Sequence, residues 1–314
     1  MKPLKLQAAF KEYLWGGTKL NDIYGKRSGM ERTAESWELS THPEGLSVIV
    51  GGEQDGTTLA AYIAADPSVL GTARTSDELP VLVKLIDAAA DLSIQVHPNN
   101  EQAQAWEGQN GKTEMWYVIA AEPGARIVYG VKERVSPTVF AEAIRDNTVV
   151  ELLDSIPSRK GQAFFVEAGT VHAIGAGNLI AEIQQNSNVT YRLYDYDRRD
   201  KDGNPRELHI DKGVRAAVLE KTVPPLMPLC DDGIRLLSSC PYFEVRELTV
   251  RGTVGRMCTE ESYHYLLVTE GTVVVADVPL HAGEGVFLPA GLGAYTVTGD
   301  ATVLLVANPP VAVI

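Results

Sequence analysis

Two histidines, a glutamine and a glutamate are placed where they could hold a metal ion. In residues 92–98 (LSIQVHP), a strand with alternating side chains directs Gln95 and His97 to one face. Glu114 opens the apolar segment EMWYVIA, and His172 follows the turn EAGTV. Two imidazoles, a carboxylate and an amide, with a position left for water or substrate, form a reasonable site for a catalytic divalent metal.

Each of these residues alone has a plainer explanation. A lone histidine is more often a surface residue or a satisfied core residue, and the chain has 6 histidines. The four residues together are harder to explain without a metal, although spacing alone leaves the two interpretations about equal. Two histidines and a glutamate favour zinc, as one divalent ion per chain, whereas ligand type alone leaves Fe²⁺, Mn²⁺, Co²⁺ and Ni²⁺ open.

Short strands must position these side chains, because most apolar segments are brief and bounded by Gly or Pro. They are rich in Val, Ile, Phe and Tyr, as strands are. The predicted strands are 46–50, 80–85, 92–96, 114–120, 125–131, 162–167, 179–186, 190–195, 242–250, 263–268, 272–276, 285–288 and 301–307. This pattern is typical of an antiparallel sandwich or barrel, so the predicted fold class is mainly β with a few inserted helices.

The predicted helices interrupt the strands and do not alternate with them. Short ones are expected at residues 58–65, 100–106 and 212–219. The strongest helical pattern opens with Ser136 as N-cap and Pro137 in the first turn. Apolar residues of the following TVFAEAIRDNTVVELLDSIP form one face, within a helical insertion at about 132–158.

A strand-and-turn pattern occurs twice in the chain. Residues 161–172 contain a Gly, five strand residues, a tight turn with a second Gly, and then His172. This resembles the second signature of the cupin superfamily, with Glu167 in place of its proline and Ala176 in place of its final asparagine. Residues 283–294 repeat the pattern with the proline kept and Ala294 in place of the histidine. A duplicated module is indicated, whose second copy looks like a cupin without its metal.

Two cupin-type (jelly-roll) β-barrel lobes are therefore expected. Residues 222–232 carry three prolines and two adjacent acids, which favours a boundary there. We predict a metal-bearing catalytic domain at residues 1–228 and a small degenerate cupin domain at residues 229–314. Cys258, Glu260 and His264 offer an alternative second metal site, but a purely structural lobe is the favoured interpretation.

Longer stretches resemble the type I mannose-6-phosphate isomerases (phosphomannose isomerases) in their short bacterial form. They are ESWELS (35–40), LPVLVKLIDAAADLSIQVHP (79–98), GKTEMWYVI (111–119), GQAFFVEAGTVHAIG (161–175), AEIQQNSNVTYRLYDYDR (181–198) and RELHIDK (206–212). They follow in order over most of residues 1–220, whereas the tail from Ile234 resembles the family's small second lobe less specifically.

The resemblance implies that mannose 6-phosphate and fructose 6-phosphate are interconverted through an enediol. It implies zinc on Gln95, His97, Glu114 and His172, which agrees with the site reached from strand geometry. It places the active-site arginine of the family at Arg192. The plainer explanation of that residue is a surface strand arginine paired with an aspartate.

Four further residues fall on polar positions of the family's pocket, namely Lys84, Ser93, Lys112 and Glu182. Lys112 and Glu182 are candidates for the base that moves a proton between C2 and C1, as is a metal-bound water. Lys112 is also a candidate for binding the phosphate. The plainer explanations are a solvated loop lysine for Lys112 and an ion pair for Glu182. Lys84 and Ser93 are candidates for binding the phosphate, against a buried ion pair and a simple strand hydroxyl.

Two positions depart from the pattern of the family. Longer members carry an aspartate where this chain has Asn188, and a tyrosine where it has Ile174.

The composition limits the partners. The 314 residues carry a formal net charge of −13, which argues against binding nucleic acid or an anionic membrane but not against one small phosphorylated sugar. Three cysteines without a CxxC pair, no leader peptide and no long apolar run indicate a cytoplasmic protein. We expect a monomer or weak homodimer. The alternatives are a cupin isomerase for another phosphosugar and a non-enzymatic metal- or sugar-binding cupin.

Overall fold

The structure is a computed structural model that describes residues 1–199, 202–224 and 233–309. The chain divides into two compact units. The first contains Met1–Lys11, Thr18–Leu85 and Leu226–Ile314, and the second contains Glu12–Gly17 and Ile86–Pro225. The division into a catalytic domain at 1–228 and a small domain at 229–314 stays a prediction, and most of the expected boundary at 222–232 lies outside the described residues.

Strands dominate the described residues, so the predicted mainly β class is confirmed. They are β1 (Leu4–Gln7), β2 (Ala9–Lys11), β3 (Glu35–Leu39), β4 (Val48–Val50), β5 (Val81–Ala88), β6 (Ile94–Val96), β7 (Glu114–Ala121), β8 (Arg126–Val131), β9 (Leu153–Pro157), β10 (Ala163–Val166), β11 (His172–Ile174), β12 (Asn178–Gln185), β13 (Tyr191–Tyr194), β14 (Ile234–Ser239), β15 (Glu244–Cys258), β16 (His264–Val275), β17 (Val278–His281), β18 (Gly285–Leu288) and β19 (Gly293–Ala307). All the described strand pairs are antiparallel.

The helices of the described residues are all short. They are α1 (Lys19–Asp22), α2 (Leu59–Ala65), α3 (Asn100–Glu107), α4 (Pro137–Arg145) and α5 (Ile210–Ala216). Three further segments form single 3₁₀ turns, at Gly52–Gln54, Pro67–Leu70 and Val149–Leu152. Among the described residues, none of the helices has the length and apolar content needed to cross a membrane.

The first unit is built on an eight-stranded sheet in the order β14-β15-β19-β16-β18-β1-β4, with β17 paired to β16. Its two longest strands, β15 and β19, pair along their whole lengths, from Glu244 opposite Ala307 to Cys258 opposite Gly293. Alternate side chains of these strands, including Leu248, enter one apolar core. A smaller ladder pairs β2 with β3.

The second unit carries a five-stranded sheet in the order β13-β6-β11-β8-β9. A separate ladder pairs β7 with β10 on one side and β12 on the other. Ile94 and Val96 of β6 pack with Phe140 and Ile144 of α4 in an apolar cluster, which leaves the opposite face of β6 for polar side chains. β5 begins in the first unit and ends in the second.

The long helical prediction after Ser136 is correct only for its first half. Ser136 caps α4 as expected, since its Oγ accepts the Val139 N–H at 3.3 Å. The helix then ends at Arg145, and Asn147 has a left-handed φ of 58°, which an α-helix does not accommodate. After one 3₁₀ turn the remaining residues form β9, which pairs with β8. The predicted helix over residues 153–157 is therefore wrong, because strand pairing outweighs the apolar periodicity there.

The two copies of the repeated motif have the same local conformation. In each copy the strand begins two residues after a left-handed glycine, Gly161 (φ 82°) before β10 and Gly283 (φ 87°) before β18. The turn glycines Gly169 (φ 93°) and Gly291 (φ 80°) are also left-handed. Since only glycine adopts these angles without strain, the sequence repeat is also a repeat of backbone geometry.

Substitution of Gly169 should destabilise the chain more than substitution of Gly161. Both glycines are left-handed, so alanine costs roughly 1–2 kcal/mol of backbone strain at either position. At Gly169 the added Cβ would lie only 2.9 Å from a methyl of Val218 and 3.1 Å from the Ala216 carbonyl oxygen, whereas at Gly161 nothing lies within 4 Å. We expect Gly169→Ala to lower the free energy of unfolding by about 1–2 kcal/mol more than the control Gly161→Ala in urea titrations. Equal losses would contradict this packing argument.

Candidate metal centre

A row of three polar side chains crosses the five-stranded sheet. His172 of β11 lies directly opposite Gln95 of β6, and Arg192 of β13 lies opposite Gln95 on the other side. Residues directly opposite each other in an antiparallel pair point to the same face. The β6 strand therefore presents Gln95, and with it His97, on the face opposite to Ile94 and Val96.

The ladder of β7 and β12 brings the acidic side chains. Glu114 and Trp116 lie two residues apart on β7, so they share a face. Glu182 of β12 lies opposite Trp116, and its Oε2 accepts the Trp116 Nε1–H at 2.8 Å. The indole ring of Trp116 packs edge-on against the imidazole of His172, with 5.3 Å between ring centroids. The acidic face of this ladder and the histidines thus meet at one place.

Three ligand atoms converge at that place. His97, Glu114 and His172 each offer one atom, and these atoms lie within 4.8 Å of one another. His97 Nε2 is 3.5 Å from Glu114 Oε2, and His172 Nε2 is 3.3 Å from Glu114 Oε1. All three residues are buried, with at most 1% of their surface exposed.

Backbone carbonyls fix the tautomer of both histidines. The Nδ1 of His97 lies 2.9 Å from the Val189 carbonyl oxygen, and the Nδ1 of His172 lies 2.8 Å from that of Thr170. A carbonyl only accepts, so each Nδ1 carries the proton and each Nε2 lone pair faces Glu114. Burial lowers the pKa of both imidazoles, that of His97 to about 3. Both rings are therefore neutral at pH 7, which is the form that binds metals.

Lys112 contributes positive charge to the same place. Its backbone N–H donates to the Pro98 carbonyl at 3.1 Å, which holds the residue beside His97. Its Nζ lies 2.7 Å from Glu114 Oε2, 3.1 Å from His97 Nε2 and 3.8 Å from Glu182 Oε1. Burial raises the pKa of Glu114, but the neighbouring Lys112 ammonium outweighs it and holds that pKa well below its usual value.

The donor set fits a divalent metal. Two neutral imidazole nitrogens and one charged carboxylate point into one space; Glu114 Oε2 is ion-paired with Lys112, whereas Oε1 accepts no hydrogen bond from the described residues. A buried acceptor without a donor is costly, so an electrophile at this place would be favoured. The side-chain amide of Gln95 lies 3.4 Å from His172 Nε2, within reach of the same position. Lys112 and a metal would compete for the lone pairs of His97 and Glu114.

The predicted active-site arginine, Arg192, lies beside this cluster. Arg192 is next to it through Gln95, its Nη1 donates to the Glu207 carbonyl, and its buried Nε has no hydrogen-bond partner in the described part of the chain. The plainer explanation of Arg192 is an ion pair with Asp195 or Asp197, and of these Asp195 instead pairs with Arg198 and Arg206. Arg192 is thus not a simple surface ion pair.

The two phosphate candidates have simpler surroundings. Ser93 is buried and precedes β6 on the face of Gln95. Lys84 belongs to the first unit, where its Nζ lies 3.5 Å from Glu35 Oε2 and 4.8 Å from the ring centroid of Trp37. The buried ion pair considered as the plainer explanation of Lys84 therefore exists.

Sequence reasoning missed the groups that orient the cluster. Trp116 could have been found, because it lies two residues after Glu114 on a predicted strand. The carbonyls of Val189 and Thr170 carry no signal in the sequence, since any residue type provides the same group.

The alternative second metal site is not formed by its three candidate residues. Cys258 Sγ lies 3.4 Å from the Pro289 carbonyl oxygen, and His264 Nδ1 lies 2.8 Å from the hydroxyl of Tyr295. Of the described residues, the group with converging metal ligands is His97, Glu114 and His172.

Fold and site together define a mainly β protein with a buried centre for a divalent metal. Comparison with known proteins identifies the family to which this protein belongs. A family model, the type I phosphomannose isomerase catalytic domain, matches residues 4–122. The mannose-6-phosphate isomerase of Streptococcus mutans and ManA of Bacillus subtilis are each 36% identical to this chain, over 96% of it and 97% of their own length.

A solved structure agrees with these relatives. The crystal structure of mannose 6-phosphate isomerase from Bacillus subtilis superimposes with a TM-score of 0.90 at 36% identity, covering 98% of this chain and 99% of that chain. The chain belongs to the type I phosphomannose isomerase family, so the predicted resemblance and the predicted isomerase class are confirmed.

Removal of one imidazole should abolish metal binding. His97→Ala leaves two of the three converging ligands, and we expect affinity for zinc to fall by more than about 100-fold. The control is His281→Ala, because His281 is exposed and lies in the first unit. Zinc content after dialysis, measured by mass spectrometry, should fall only for His97→Ala. Retention of one zinc per chain in that variant would remove His97 from the ligand set.

Proposed function

We propose that this chain is a zinc-dependent aldose–ketose isomerase that interconverts mannose 6-phosphate and fructose 6-phosphate through an enediol. The observation that carries the proposal is the buried convergence of His97, Glu114 and His172, in a chain that belongs to the type I phosphomannose isomerases. Gln95 is proposed as the fourth protein ligand. A bound divalent metal supplies a Lewis acid that polarises the sugar oxygens beside the carbon that loses its proton.

Arg192 is proposed to bind the oxygen on which negative charge develops. A guanidinium is always charged and donates through a planar fork, so it suits an enediolate or phosphate oxygen. Its position opposite Gln95 in the sheet and its unpartnered, buried Nε support this role. The pKa of Arg192 is lowered by burial and then by the charge of Arg206, so an anion beside it would be stabilised.

Lys112 and Glu182 are proposed as the pair that holds and moves the proton. The Lys112 ammonium already lies between the carboxylates of Glu114 and Glu182. If a metal binds His97 and Glu114, the ammonium keeps Glu182 as its acidic neighbour. Trp116 orients the carboxylate of Glu182 through one oxygen, which leaves the other oxygen on the side of Lys112. Proton transfer between adjacent carbons requires such a fixed group beside the substrate.

The remaining proposals concern the substrate and the setting of the enzyme. Ser93 and Lys84 are proposed to bind the phosphate, with Lys84 sharing its charge with Glu35. The two motif copies support two cupin-type barrels, the first metal-bearing and the second degenerate. The odd number of cysteines supports a cytoplasmic location. We propose that the protein is a monomer or weak homodimer there, and that it binds neither nucleic acid nor membranes.

Proton exchange at the sugar tests the reaction most specifically. Zinc-loaded chain in deuterated water should convert mannose 6-phosphate to fructose 6-phosphate and place deuterium on C1 or C2, as seen by NMR. A panel of aldose phosphates serves as the control for substrate identity. If another phosphosugar is converted faster, that sugar is the substrate in place of mannose 6-phosphate. Binding of the sugars without any conversion would contradict the proposal that the chain is an isomerase.

Substitution of Arg192 should separate metal binding from turnover. Arg192→Ala removes a charged donor from the oxyanion, so we expect kcat to fall by about 100-fold or more with zinc content unchanged. The matched control is Arg199→Ala, since Arg199 is exposed and its Nη1 donates to the Gly203 carbonyl. An unchanged kcat in Arg192→Ala would make this arginine a structural residue.

A further inference from the structure

A cavity of about 290 Å³ lies within the first unit, remote in sequence from the metal ligands. Its walls come from β15, β16 and β19 and from the segments that follow them. The charged or polar lining residues are Glu244, Arg246, Arg256, Thr259, Glu261, Ser262, His264 and Asn308. This volume suits a single small molecule, and the lining is too polar for a purely structural void.

One lining residue of the cavity, His264, lies on the strand that pairs with the second copy of the motif. In the first copy, Val166 of β10 lies opposite Glu114 of β7. In the second copy, Leu288 of β18 lies opposite His264 of β16. Leu288 stands as many residues after Gly283 as Val166 does after Gly161. His264 therefore occupies the strand position of the metal-binding glutamate.

A polar pair is kept at this position, although its chemistry has changed. In the metal centre, Glu114 faces His172 at 3.3 Å. In the second copy, His264 Nδ1 lies 2.8 Å from the hydroxyl of Tyr295. Tyr295 directly follows Ala294, the residue that stands where His172 stands in the first copy. An imidazole and a phenol do not form a site for a divalent metal.

Two arginines supply the positive charge here. Arg246 and Arg256 lie an even number of residues from Leu248 on β15, whose pairing with β19 has no irregularity. They therefore share the face of β15 that carries Leu248, with Arg256 half-buried and Arg246 exposed at the edge of the cavity. The half-buried guanidinium of Arg256 beside a cavity is stabilised by an anionic partner.

Most donor groups of the cavity remain available. Arg246 uses its Nε on Glu244 at 2.6 Å, and Arg256 uses one Nη on the Gly255 carbonyl at 2.9 Å. In the described part of the chain, their remaining guanidinium N–H groups and the Nε2 of His264 have no partner. Burial, followed by the charges of Arg246 and Arg256, lowers the pKa of His264 to about 4, so the ring is neutral at pH 7.

We propose that this cavity is an anion-binding site, separate from the metal centre, that takes one small organic phosphate or carboxylate. The anionic group is bound by the free N–H groups of Arg246 and Arg256, because guanidinium forks match the oxygens of both groups. His264 and the hydroxyl of Thr259 contact the polar remainder of the ligand. In this lobe, fixed arginines take the place of a metal as the source of positive charge.

Binding of simple anions to the full-length chain tests the proposal. Calorimetric titrations with inorganic phosphate, fructose 6-phosphate and citrate are compared for the chain as purified, Arg256→Leu and the control Arg251→Leu. Arg251 lies on the same strand but is exposed, pairs with Asp300 and does not line the cavity. We expect Arg256→Leu to lower the affinity for at least one of these anions by tenfold or more, and Arg251→Leu to change that affinity by less than twofold.

The location of the anion gives a second readout that does not depend on folding of the variants. Crystals soaked in selenate should show its anomalous signal beside Arg246 and Arg256. Arg256→Lys, which keeps the charge but loses the fork, should weaken binding less than Arg256→Leu. Stronger binding of phosphate or of citrate identifies the ligand's anionic group. Equal affinities in Arg256→Leu and the control, or selenate found elsewhere only, would overturn the proposal.

Discussion

The buried charge of Glu114 is the constraint on which the rest of the site depends. Its carboxylate has no exposed surface, and its pKa is held well below the usual value, so a negative charge persists in the interior. Such a charge is costly without a positive partner. Lys112 provides one at 2.7 Å, and two neutral imidazoles turn their lone pairs toward the same space. The arrangement combines one fixed cation with a set of ligands that favours a second, divalent one.

The pairing of the strands sets the directions of these few side chains. Pairing of β6 with β11 and β13 aligns Gln95, His172 and Arg192 in one row, and a slip of one residue would turn each of them away. Packing of β6 against α4 fixes which face carries the apolar residues. The same strand-and-turn motif occurs again in the first unit, where it pairs with the strand that carries His264, a lining residue of the cavity with Arg246 and Arg256.

Much of this could be predicted from the sequence, for identifiable reasons. The spacing of Gln95 and His97 follows from strand alternation, and the turn before His172 is marked by glycine. What could not be predicted depends on strand register and on backbone groups. The contact of Lys112 with His97 depends on the path of the loop that brings Lys112 beside Pro98. The end of α4 depends on a left-handed Asn147, whereas the apolar periodicity continues through it.

The central claim is that the cluster of His97, Glu114 and His172 holds the divalent metal on which isomerisation depends. The most direct test is turnover of mannose 6-phosphate by one preparation as purified, after chelation, and after stepwise return of zinc. The account predicts that turnover disappears with the metal and returns in proportion to the zinc bound, reaching its full value at one ion per chain. Full turnover by the metal-free chain would contradict it.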